Sequence, residues 1–496
     1  MTSFAKRAFH GTVLVILLGL LSNVLAYVLR LVLARNLPQE DFGLFYAVVA
    51  VVGLLYIITH LGLNDALTRH ISASRVHDNY PSIKEAMVWV LAIQIAVSLI
   101  VVAVIAVMAQ WLQDHYFHHA QAALVLVVHA SGMILLPFET LFLSLFQGYQ
   151  RMPLYGSVNV LRMACVVLCT LLFLHLGFGV VSPALGYLSW YLVAILVYAP
   201  IALRSVMPDF FLIPYHLTAK LAKDLFSFGL PIIFSSVAGV VISSTDTIML
   251  TAFGKSLNDV AVYNVAMPTA SILWFFSAGF AIVLFPITSE LWERRYHDHL
   301  KDGIELVYRY AFIFITPAAL ALATFPDIVL TTLFGKVFES GAQVLQVLGL
   351  GGILFMFGRI NEAFFSGMGV PHLNSRIVWT GAIVNILFNA LLIPRMGMLG
   401  AAIGTVISFG AIFVMGIYYM KQQMEFQVPW LGWLKIALAG MVFVLVLSWI
   451  KEVLPFPVWP KIIVGTLVSC VAYLLVLVAI KAVSIGEFKS QLKRVW

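Results

Sequence analysis

The chain has 496 residues, of which 62% are hydrophobic and 10% charged. An ordinary soluble domain carries about 25% charged residues, so this composition excludes a soluble enzyme, a disordered chain and a nucleic-acid-binding domain, and its apolar content suffices for more than a dozen membrane spans. The net charge of +7 does not restore a nucleic-acid reading, because Lys and Arg sit in short loops between apolar segments, as membrane proteins place them.

Fourteen transmembrane helices are predicted in chain order, at about 12–34, 43–64, 85–109, 121–147, 157–176, 183–203, 228–252, 260–286, 304–324, 342–368, 375–394, 399–420, 432–450 and 460–481. Most reach the ~20 residues that a bilayer requires. A barrel would alternate polar and apolar residues instead. Fold class is therefore all-α and polytopic. Lys6 and Arg7 before the first run resemble a secretory signal, but the apolar run continues past Ala26, so span 1 is expected to be retained. The three cysteines, Cys165, Cys169 and Cys470, lie in apolar runs and imply no disulfide framework or zinc spacing.

Orientation follows from charge. With the N-terminus in the cytoplasm, 20 Lys and Arg fall in cytoplasmic segments and 6 on the other side, and Arg30, Arg162 and Arg359 lie within helices. Both termini are predicted to be cytoplasmic.

An internal repeat organises the chain. Asp41 and Asp259 are 218 residues apart, as are Pro153 and Pro371, and Gly186 and Gly404. The period spans six helices, an even number, so both copies enter the membrane from one side and are expected to pack about a pseudo-two-fold axis along the membrane normal, with a site at their interface. The predicted organisation is a six-helix lobe over 1–205, a cytoplasmic linker over 206–227, a second six-helix lobe over 228–422, two additional helices over 432–482 and a cytoplasmic tail over 483–496.

Ionisable residues inside a membrane are costly and mark function by default. Here they are Arg30, Glu139, Arg162, Asp246, Arg359 and Glu362. Asn23, Tyr27 and Arg30 share one face of span 1. Ser236, Gly239, Ser243 and Asp246 form a stripe on span 7, the repeat mate of span 1. Arg30 and Asp246 are therefore expected at similar depth on opposite halves, lining a central cavity. The bland alternative is an Arg30 that snorkels to the headgroups. Glu139 maps near Arg359, so a cross-half pair is open to them, but local pairs compete: Glu139 with Arg162, and Arg359 with Glu362 at i, i+3.

Asn264, Pro268 and Ser271 on span 8, and Asn385 and Asn389 on span 11, suit helix–helix hydrogen bonding as well as substrate contact. His115, His118 and His119 read as a solvated loop with interfacial aromatics ahead of a metal site. No metal is expected. The sequence has no GxxxxGK[ST], HExxH or GxSxG, and no enzyme activity is expected.

Leu33-Ala34-Arg35-Asn36-Leu37-Pro38-Gln39-Glu40-Asp41-Phe42-Gly43 resembles the loop after the first helix of polysaccharide-transporter-type, Wzx-like flippases. Phe226-Ser227-Phe228-Gly229-Leu230-Pro231, then Thr245-Asp246-Thr247, then Val262-Tyr263-Asn264, resemble helix 7 and its continuation in the same family. That family belongs to a superfamily that also holds lipid II flippases and MATE multidrug exporters. The resemblance implies two lobes around a V-shaped cavity and alternating access. It implies an oligosaccharide on a polyprenyl (di)phosphate as cargo, moved from the cytoplasmic to the outer leaflet of the cell membrane, with membrane lipids and other polysaccharide-assembly proteins as partners. It places Arg30 against the diphosphate and gives spans 13 and 14 a lipid-tail groove. Relatives with anionic cargo have cationic cavities, whereas this chain sets three intramembrane Arg against three acids.

The expected cavity residues are thus Arg30, Asn23, Tyr27, Asp246, Asn264 and Arg359. Asp246, Glu139, Arg162 and Glu362 are candidates for gating or for coupling to H⁺ or Na⁺. The nearest rival function is a MATE-type exporter of organic cations using Asp246 or Glu139. A membrane-embedded glycosyltransferase or polymerase is a rival of another class, and the short links between spans leave little room for its catalytic loop.

Overall fold

The computed structural model describes residues 3–253, 256–453, 455 and 457–482. Lys255, the tail 483–496 and the side chains of Lys6, Arg7 and Ser236 lie outside the described residues. Among the described residues every regular element is helical. In chain order the α-helices are α1 (Ser3–Asn36), α2 (Gln39–His60), α3 (Leu63–Val76), α4 (Tyr80–Leu112), α5 (Ala122–Gly148), α6 (Met152–His175), α7 (Ser182–Ser205), α8 (Ala219–Phe253), α9 (Leu257–Ala270), α10 (Trp274–Glu293), α11 (His297–Thr324), α12 (Pro326–Phe334), α13 (Ala342–Gly367), α14 (Pro371–Met396), α15 (Met398–Gln423), α16 (Trp430–Val453) and α17 (Val458–Ala479).

Among the described residues, twelve helices are long and apolar enough to cross a membrane, and the two arms of α8, Ala219–Ile233 and Val237–Phe253, make a thirteenth span bent by 51°. Pro231 removes one ladder bond just before the bend. The fourteenth expected span, 260–286, is not one helix. It is α9 and α10, joined through a 3-10 turn at Ser271–Leu273 that follows Pro268. The helix boundaries repeat with the period read from the sequence: α1, α2, α5, α6 and α7 have counterparts about 218 residues on in α8, α9, α13, α14 and α15.

Two short elements were not among the predicted helices. The segment after span 2 is an amphipathic helix, α3, whose Leu63, Ala66, Leu67 and Ile71 are buried while Asp65 and Arg69 face outward. Only one of its faces is apolar, so it has too little hydrophobic length to register as a span. The link between spans 9 and 10 holds α12 and a 3-10 turn at Lys336–Gly341.

The chain divides into two compact units, Met1–Ala261 and Val262–Trp496. In the first, α1 packs on α6, α5 on α4 and α7, and α8 on α2 and α3. The bend in α8 therefore sits beside the first six spans, and Asp246 and Arg30 belong to one unit. Glycines make that contact possible. A Cβ on Gly43 would lie 2.0 Å from the carbonyl oxygen of Leu257, and one on Gly62 would lie 2.3 Å from that of Gly229. Gly62 also has φ +61, directly after Leu61 at φ +48, so two left-handed residues turn the chain from α2 into α3. Gly62→Ala is expected to cost about 2 kcal/mol or more, from strain plus the clash. A drop in the detergent-solubilised melting temperature, absent for Gly53→Ala, where a Cβ meets nothing, is the check.

The link after α7 folds back onto α4. Lys84 Nζ donates to the Ile213 carbonyl at 2.8 Å and lies over the rings of Phe210 and Tyr215, while Glu85 Oε1 accepts from the Thr218 N–H and hydroxyl, both at 2.6 Å.

In the second unit the core is aromatic, with Tyr308, Phe357, Phe364 and Phe413 buried together. The two additional helices are fastened to α11 and α12. Lys451 of α16 donates to the Thr324 carbonyl at 3.1 Å and to Asp327 at 3.2 Å. At the end of α17, Arg309 donates to the Ala482 carbonyl through Nε and Nη2, which suits a cation at a helix C-terminus.

Candidate functional site

The three polar residues of span 1 differ in placement. Asn23 is exposed, while Tyr27 and Arg30 are half-buried. The guanidinium carbon of Arg30 lies 4.3 Å above the ring of Tyr46 on α2, a cation–π contact between neighbouring helices. Asp246 is 2% exposed on the second arm of α8. Two residues on, the Ile248 carbonyl accepts from the Tyr116 hydroxyl at 2.9 Å. Asn264 is half-buried on α9 in the second unit. Arg359 and Glu362 pair with each other at i, i+3 on α13, and Arg359 keeps 47% of its side chain exposed.

The structure decides between the arrangements open to Glu139. Its carboxylate is 1% exposed and is held from two helices. Arg162 Nη1 of α6 donates to Oε1 at 3.1 Å, and Trp190 Nε1 of α7 donates to Oε2 at 2.9 Å. Arg162 Nη2 also donates to Asn159 Oδ1, one turn back, at 3.0 Å. The local pair Glu139–Arg162 is formed. The cause is proximity: α5 and α6 are joined by a tight turn, and both side chains lie within a few turns of it. A carboxylate this buried needs such partners to remain charged.

Around this pair lies a set of aromatic residues that the sequence reading missed. Tyr187 of α7 stacks on Phe45 of α2, with centroids 6.5 Å apart, and meets His129 of α5 edge-on at 5.5 Å. A Cβ on Gly132 would lie 2.7 Å from the Tyr191 ring, so the glycine lets that ring close onto α5. Helices α2, α5, α6 and α7 thus meet through the Glu139–Arg162–Trp190 contacts and the neighbouring rings of Phe45, His129 and Tyr187 within the first unit. The sequence pointed to ionisable and amide side chains and to Tyr27, but not to these rings; the i, i+3, i+4 spacing of Tyr187, Trp190 and Tyr191 was the available signal.

Softer expectations resolve as follows. In the second unit Asn389 Nδ2 donates to Asn385 Oδ1 at 3.2 Å, and Asn385 Nδ2 donates to Thr405 Oγ1 at 3.3 Å. His119 Nε2 meets Asp41 at 3.0 Å, and His115 stacks on Trp111. Among the described residues no group of three His, Cys, Asp or Glu converges in a metal-binding arrangement.

Comparison with known proteins follows the same lines. The polysaccharide biosynthesis protein family matches residues 8–292, and the lipid II flippase MurJ family matches 267–472. The chain is 29% identical to an uncharacterized membrane protein of Methanocaldococcus jannaschii, over 99% of each chain. It is 24% identical to the probable low-salt glycan biosynthesis flippase Agl15 of Haloferax volcanii, covering 83% of this chain and 84% of that one. Its fold is similar to that of the lipid II flippase MurJ in an inward closed conformation, with a TM-score of 0.76, 13% identity, and coverage of 94% of this chain and 98% of that one. A match over more than half its length, on an all-helical chain of a dozen or more membrane spans, makes this protein a member of the polysaccharide biosynthesis protein family.

Proposed function

We propose that the protein is a flippase that moves an oligosaccharide, linked to a polyprenyl phosphate or diphosphate, from the cytoplasmic to the outer leaflet of the cell membrane by alternating access. It acts without bond chemistry of its own and meets membrane lipids and other polysaccharide-assembly proteins. The observation that supports this reading is the interior of the first unit, where apolar helices hold Arg30 over the Tyr46 ring and Arg162 against Glu139. Charged groups inside a membrane are costly and either mark a cargo or ion pathway or pair with one another, as Arg162 does with Glu139. Arg30 supplies the cation for phosphate, since its planar fork suits two phosphate oxygens at once. Asn23, Tyr27, Asp246, Asn264 and Arg359 are the further cavity candidates, with Asp246 and Glu362 retained for gating or ion coupling. The rival, an exporter of organic cations, is disfavoured at Glu139, whose charge is already matched by Arg162.

The test is reconstitution in liposomes with a polyprenyl-diphosphate sugar on one leaflet. Protein-dependent exposure of the sugar to an impermeant glycosidase supports the reading. Accumulation of a cationic dye, without exposure of the sugar, would replace it by the rival.

The same reading puts both termini in the cytoplasm, on the charge count. In a cysteine-free background, impermeant maleimide added outside is expected to label Lys255→Cys and to miss Arg295→Cys until the membrane is opened. The reverse pattern would invert the topology.

A further inference from the structure

We propose that the link after α7 is a membrane-surface anchor: a pinned turn whose tip, Phe211 and Leu212, inserts into the headgroup boundary of the neighbouring lipid leaflet. The charge count makes that leaflet the cytoplasmic one, and the inference is independent of what the protein carries. Three observations support it.

First, the turn is built and its tip is bare. Residues 206–218 lie outside the membrane spans, between the end of α7 at Ser205 and the start of α8 at Ala219. Val206 and Met207 bury its base. The Phe210 N–H donates to the Met207 carbonyl at 3.1 Å, and the Leu212 and Ile213 N–H groups donate to the Asp209 carbonyl at 2.8 and 3.0 Å. Buried Lys84 donates to the Ile213 carbonyl and lies over the rings of Phe210 and Tyr215. Beyond these contacts Phe211 is 77% exposed and Leu212 81%. Two adjacent large apolar side chains on a turn fixed in this way cannot withdraw by local collapse, so they gain from an apolar surface that comes to them.

Second, the turn is held at one depth. Lys84 and Glu85 stand in the second turn of α4, directly before its long apolar run begins at Ala86. That run crosses the membrane. The bonds from Lys84 to Ile213, and from Thr218 to Glu85, therefore keep the link where the span leaves the hydrocarbon. Phe and Leu side chains at that level reach about 5–10 Å into the headgroup and acyl boundary.

Third, the charge around the tip does not oppose a leaflet. The exposed ionisable groups flanking the turn are Arg204, Lys220 and Lys223 against Asp209 and Asp224, so lipid phosphates meet no excess of negative charge there.

The experiment uses the full chain in lipid nanodiscs, which present both leaflets to solution, so neither topology nor cargo enters the result. Cys165, Cys169 and Cys470 are changed to Ala, and a nitroxide spin label is placed on Leu212→Cys or, for comparison, on Gln422→Cys at the exposed end of α15. Collision with oxygen, which concentrates in lipid, is compared with collision with a water-soluble nickel chelate. The label at 212 is expected to favour oxygen and the label at 422 the chelate. Two large apolar side chains favour the inserted state by about a hundredfold. Phe211→Ser beside the label at 212 is expected to cut that excess about tenfold or more, which appears as new access for the chelate. Chelate access at 212 equal to that at 422 overturns the anchor. A label at 212 that neither reagent reaches overturns it too, because protein and not lipid then covers the tip. Unchanged collision rates after Phe211→Ser overturn it as well.

Discussion

Arg30→Ala is expected to abolish transport, to below about one hundredth of wild type, while the protein remains inserted and folded. A lost charge-assisted contact to a phosphate costs about 1.5–3 kcal/mol by itself, and an unmatched diphosphate in a membrane interior costs more. Folding is expected to survive because Arg30 is half-buried and lies over the Tyr46 ring, a contact worth about 0.5–2 kcal/mol. Arg30→Lys should recover only part of the rate, since an ammonium keeps the charge but lacks the bidentate fork. Asp246→Asn separates two roles for the buried carboxylate. A mild loss means gating alone; a loss as severe as that of Arg30→Ala means that Asp246 also binds the coupling ion. The measurement is sugar exposure in proteoliposomes at matched protein content. Wild-type transport by Arg30→Ala would show that this arginine is an anchor and remove it from cargo recognition.

The largest stability effect is expected at the Glu139–Arg162 pair. Arg162→Met leaves a carboxylate that is 1% exposed with one remaining donor, the Trp190 indole. Breaking a buried pair from one side costs about 3–5 kcal/mol, enough to reduce the folded yield severely. Glu139→Gln should be milder, about 1–2 kcal/mol, because the amide oxygen still accepts from Trp190 or Arg162 and no unpaired anion remains. Combining Glu139→Leu with Arg162→Met should recover most of the loss, since two uncharged side chains replace two matched charges. Melting temperatures and monodispersity in one detergent give the comparison. A double variant worse than Arg162→Met alone would mean that the pair does more than satisfy itself.

The amino-acid sequence by itself determined the class of this protein, the number of spans to within one, and the repeat. Apolar run length is a local property set by the thickness of a bilayer, and a period near 218 residues survives in the helix boundaries because each copy must cross the same thickness. It also marked Arg30, Glu139, Arg162 and Asp246, because any charge inside an apolar run stands out. What the charges do was decided by tertiary structure. Glu139 had two candidate partners in the sequence, Arg162 and Arg359, and only the packing of α5 against α6 and α7 brings Arg162 and Trp190 to it. The assignment of α8 to the first unit came from close backbone approach at Gly43 and Gly62, which depends on which helix faces which. The amphipathic α3 escaped notice because its half-apolar face resembles a polar link when averaged along the chain.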